Sequence, residues 1–71
     1  MEQVMVQMQA VDGMKSAYLN IRDYAMKRKD SLLFLANTTE PEYPDFAARL
    51  RERAVAMEEV VDAIDNIMSV L

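Results

Sequence analysis

Apolar residues recur at every seventh position on both sides of a single proline-bearing break, and nothing else in this chain limits its fold so severely. Val4, Val11, Tyr18, Ala25 and Leu32 occupy one row, with Met14, Ile21 and Leu35 in a companion row three residues further on. Beyond the break, Leu50, Met57, Ile64 and Leu71 form a second row, and Phe46, Val60 and Ile67 are its companions. A sustained seven-residue repeat belongs to a helix that packs lengthwise against another helix. Gln7, Arg28 and Arg53 are the polar interruptions. Gly13 is the one weak point in the first stretch, since glycine costs about 1 kcal/mol relative to alanine inside a helix. One long helix is expected there, with a bend or break at Gly13 left open.

The break is "NTTEPEYPDF", residues 37–46. Pro41 and Pro44 disfavour helix at the residues before them, Glu40 and Tyr43. Asn37 suits a helix stop, and Pro44 or Asp45 suits the first turn of the next helix. The expected fold is all-α: an antiparallel, coiled-coil-like two-helix hairpin. It forms one domain over 1–71, with helix 1 at about 2–36, a turn at 37–44 and helix 2 at about 45–71.

Size adds a demand. A chain of 71 residues lies where one core supplies only ~3–5 kcal/mol, and disulfides, metals or oligomerisation commonly assist. There is no Cys and no His, so disulfides and the commonest metal ligands are excluded and no cofactor is expected. Oligomerisation or a partner protein remains to complete the hairpin. Helix 1 would also outrun helix 2, at ~54 Å against ~40 Å. Residues 1–9 would overhang, and an unpacked helix of that length is marginal in water.

These stripes are wider than one seam. Leu19, Met26 and Leu33 form an extra row on helix 1, while Val61 and Met68 widen helix 2. With Met1, Val4, Met5, Met8 and Val11 they are the candidate partner-binding residues. Seven methionines and no tryptophan fit this expectation, because Met adapts to varied surfaces. Large contiguous apolar patches commonly mark interaction sites.

The net charge is −4, yet seven of the eight basic residues gather toward the turn: Arg22, Lys27, Arg28, Lys29, Arg49, Arg51 and Arg53. Such a collar could neutralise phosphates of RNA or DNA. The plainer reading is a solvated surface with local ion pairs, which the acidic chain as a whole favours. Arg28 and Arg53 interrupt apolar rows, where polar residues can set register or partner choice.

Catalytic chemistry is not expected. Ser16, Ser31 and Ser69 have no histidine base, and the pairs Glu58/Asp62 and Asp62/Asp65 lack the Glu-x-x-His element of a di-iron bundle. The leading expectation is a non-enzymatic interaction protein: a small helical adaptor, co-chaperone or assembly subunit. The alternative is a homodimeric four-helix bundle that presents its basic collar to nucleic acid. No apolar run approaches the ~20 residues of a membrane span. The N-terminus does not read as a signal peptide, so a cytoplasmic location is expected.

The acidic, proline- and tyrosine-bearing turn "EPEY" (residues 40–43), followed by the apolar helix "AMEEVVDAI" (56–64), resembles the minor co-chaperones of type III secretion systems. In architecture the chain also resembles plasmid copy-number RNA-binding hairpins. The likeness is one of fold, without a family signature, and fold alone does not carry function.

Overall fold

A computed structural model describes the backbone from Glu2 onward and the side chains from Asp12 to Leu71. It is a hairpin of two helices, α1 (Glu2–Thr39) and α2 (Pro44–Ser69), packed against each other. Helix α1 passes through Gly13 without interruption, and a Cβ added there would meet no neighbouring atom within 4 Å.

Helix α1 runs three residues past the expected stop near 36. The Thr38 and Thr39 hydroxyls donate back to the Phe34 and Leu35 carbonyls four residues earlier (2.9 and 2.8 Å), folding both side chains onto the last turns of the helix. The reversal then takes only residues 40–43. Amides of Glu40, Glu42 and Tyr43 return to the carbonyls of Ala36 and Thr39. Tyr43 is the N-cap of α2 without a side-chain cap, and Pro44 opens the helix, where its missing N–H costs nothing.

The two helices meet along a 3–4 spaced seam. On α1 it runs through Lys15, Tyr18, Arg22, Ala25, Lys29, Leu32, Ala36 and Thr39; on α2 through Ala47, Leu50, Ala54, Met57, Val61, Ile64 and Met68. The expected rows thus hold from Tyr18 to Leu32 and from Leu50 to Ile64, but Leu71, expected to end the second row, lies past the end of α2 and is exposed, and the side chains of Val4 and Val11 lie outside the described residues. The companion rows do not hold. Met14, Ile21 and Leu35, together with Phe46, Val60 and Ile67, stay 36% exposed or more, and the seam is completed from the opposite side of each helix.

The tightest packing lies near the turn. Leu32, Ala36, Ala47, Leu50 and Ala54 are buried in one cluster, with Leu33 and Met57 packed against it. Ala36 and Ala47 have no exposed surface at all. Helix separation depends on the side chains at the contact, so alanines at these places suit the close approach that a four-residue reversal imposes.

Candidate functional site

The hairpin is one layer thick, so each helix presents a flank on either side of the seam. In an antiparallel pair, the row preceding the seam on α1 lies on the same side as the row preceding it on α2. One flank therefore carries Met14, Ile21, Arg28 and Leu35 beside Phe46, Arg53, Val60 and Ile67. The other carries Leu19, Met26, Leu33 and Glu40 beside Arg51, Glu58 and Asp65. We call these the apolar flank and the ionic flank.

The ionic flank carries the ion pairs that cross from one helix to the other. Arg22 Nε donates to Asp65 Oδ1 at 2.7 Å, and Lys29 Nζ lies 2.6 Å from Glu58 Oε1. The two pairs are one heptad apart on both helices. Arg22 and Lys29 belong to the seam, so their aliphatic stems cover it while their heads reach the far helix. Near the turn, Arg51 forks onto Glu40, from Nη1 to Oε1 at 3.1 Å and from Nη2 to Oε2 at 2.5 Å, and also donates to Asn37 Oδ1 at 3.2 Å. The Arg51 hydrogen bond, with its charge, holds the Glu40 carboxyl below the ordinary carboxylate value, and Glu40 raises Arg51. Lys29 is likewise raised, chiefly by its hydrogen bond to Glu58.

These pairs change the standing of the basic collar. Lys27 pairs with Asp23 one turn back, at 2.9 Å. Four of the seven collar residues (Arg22, Lys27, Lys29 and Arg51) thus already face carboxylates. Arg28, Arg49 and Arg53 form no salt bridge among the described residues.

The expected partner-binding residues distribute unevenly. Leu19 and Met26 are exposed on the ionic flank, Leu33 packs onto the core, and Val61 and Met68 are half-buried in the seam. Met26 and Val61 also line a groove of about 230 Å³ with Lys29, Asp30, Glu58 and Asp62. The side chains of Met1, Val4, Met5, Met8 and Val11 lie outside the described residues.

The apolar flank adds a second exposed apolar surface. Ile21 retains 49% of its accessible surface, Phe46 48% and Leu35 43%. The sequence marked these rows as apolar but assigned them to the seam. The clue that could have separated flank from seam is the heptad match of Arg22 and Lys29 to Asp65 and Glu58.

Among the described residues, no cluster of three acidic side chains is placed to hold a metal, and no helix is long and apolar enough to cross a membrane. The chain matches no protein-family model, and comparison with curated proteins and with solved structures finds no match.

Proposed function

We propose that this chain is a non-enzymatic, cytoplasmic protein–protein interaction module: a small helical adaptor, co-chaperone or assembly subunit that completes its packing on another polypeptide. The observation that carries this reading is the apolar flank. Met14, Ile21, Leu35, Phe46, Val60 and Ile67, six of the fourteen exposed large hydrophobic side chains among the described residues, share one side of the hairpin, and an apolar row of this kind is a common mark of an interaction surface. Burying such a row against a third or fourth helix is the ordinary way in which helix pairs become bundles.

Binding of nucleic acid through the collar is the weaker reading. A guanidinium or ammonium already paired with a carboxylate releases fewer counterions from a phosphate backbone, and four of the seven are so paired.

The test is light scattering on the purified chain, together with binding of a hydrophobic dye, before and after Ile21→Asn with Val60→Asn. Either a discrete oligomer or a dye-binding monomer is expected, and in each case the double substitution removes the property. A cooperative monomer that binds no dye would overturn the proposal.

A further inference from the structure

We infer that the apolar flank receives an amphipathic helix from a different protein, one whose apolar stripe carries carboxylates where it passes Arg28 and Arg53. The inference rests on the interaction-module reading and specifies the chemistry of the partner.

Antiparallel register, anchored by Arg22 with Asp65 and Lys29 with Glu58, interleaves the two helices. From the open end the flank reads Met14, Ile67, Ile21, Val60, then Arg28 and Arg53, then Leu35 and Phe46. Two guanidinium groups thus sit together in the middle of an apolar strip, with aliphatic or aromatic side chains on either side.

Neither arginine has a carboxylate three or four positions away on its own helix. The residues three and four positions from Arg28 are Tyr24, Ala25, Ser31 and Leu32; those around Arg53 are Arg49, Leu50, Ala56 and Met57. Such neighbours are the ones a helix brings together. Across the seam the same flank offers no acid either, and neither arginine forms a salt bridge among the described residues. Two cations of the seam in this chain of net charge −4, Arg22 and Lys29, do reach an acid on the opposite helix, and both of those acids lie on the ionic flank.

An occupant that buries this strip must either leave two guanidinium groups desolvated and unpaired or bring carboxylates to them. Leaving a buried charge uncompensated is strongly unfavourable. A second copy of this chain, laid flank to flank, cannot supply the carboxylates. The flank has arginines and no acid, so both face-to-face orientations add positive charge or aliphatic surface opposite Arg28 and Arg53. Nucleic acid would supply negative charge but nothing to cover Ile21, Val60 and Ile67. An acidic amphipathic helix satisfies both halves of the strip.

The experiment uses the full chain and two labelled synthetic helical peptides of three heptads. Both carry the same leucine stripe; one has glutamates and the other lysines beside the stripe in its middle heptad. Fluorescence anisotropy should show the acidic peptide binding about tenfold tighter or more. The preference should vanish in Arg28→Gln with Arg53→Gln, and reverse in Arg28→Glu with Arg53→Glu. Both arginines are exposed, so circular dichroism should show these variants folded. Equal binding of the two peptides by the unaltered chain would overturn the inference while leaving the interaction-module reading intact. So would a flank-to-flank dimer that Ile21→Asn dissociates, or tighter binding of a labelled RNA hairpin than of the acidic peptide. A dye-silent monomer that binds neither peptide would overturn both readings.

Discussion

Adjacent residues in this hairpin have opposite fates. Leu35 is 43% exposed on the apolar flank, while Ala36, the next residue, is wholly buried against α2. Heptad spacing alone fits either as the companion of the Leu32 row. The structure assigns the role to the smaller, and the consequence is measurable. Ala36→Leu forces added methylenes into a contact without room, which should cost about 1–3 kcal/mol. Leu35→Ala removes a side chain that is largely wet, and should change stability by less than about 1 kcal/mol. Urea unfolding of the two variants checks the ranking. The reverse order would mean that Leu35, not Ala36, faces α2.

Among the described residues, ion pairs between the helices are confined to one side of the hairpin. Ion pairs from Arg22, Lys29 and Arg51 to Asp65, Glu58 and Glu40 all lie along the ionic flank. The Arg51–Glu40 fork matters most for the reversal, because Glu40 begins the turn and Arg51 lies within α2. Its pH dependence follows from the lowered carboxyl. A group whose folded pKa is depressed stabilises the native state above its unfolded pKa, about 4.3 for glutamate, and that contribution disappears as the pH falls through the folded value. Between about pH 6 and about pH 3, the original chain should therefore lose more thermal stability than Glu40→Gln, which has no carboxylate to protonate there. Equal losses would show that the fork adds nothing to folding. Pairing with Asp65 and Glu58 also explains two polar residues within the α1 seam. Arg22 and Lys29 are tolerated there because their stems pack while their charges are met on the other helix.

As a whole the molecule is a slender rod, 63 × 15 × 11 Å, with a Cα radius of gyration of 17.3 Å. A compact chain of this length would have a radius near 11 Å. A rod one helix pair thick has no interior beyond its seam, so almost every side chain outside it meets water. The apolar flank is the price of that shape. Small-angle scattering of the free hairpin should give a radius close to 17.3 Å. Adding the acidic peptide should thicken the cross-section without lengthening the particle, as expected for a third helix laid along the flank. Lengthening would instead mean that the hairpin opens into a single rod.

Read stretch by stretch, the sequence already shows that there are two helices, that they fold back at the proline-bearing break, and that the rows of Tyr18, Ala25 and Leu32 and of Leu50, Met57 and Ile64 face each other. These follow from local propensities and a repeat that each stretch carries on its own. It also marked Arg28 and Arg53 as arginines within apolar rows. Which neighbouring row completes the seam was decided only by the tertiary structure. On hydrophobicity alone, Met14, Ile21 and Leu35 outrank Lys15, Arg22, Lys29 and Ala36. Pairing energy belongs to both helices at once: alanines must meet where the turn draws the backbones together, and Arg22 and Lys29 must find Asp65 and Glu58 across the gap. Neither condition is visible in one stripe considered separately. Once the seam took the smaller and more polar rows, the more apolar ones were left on the outside, and the surface most suited to a partner was set by that choice.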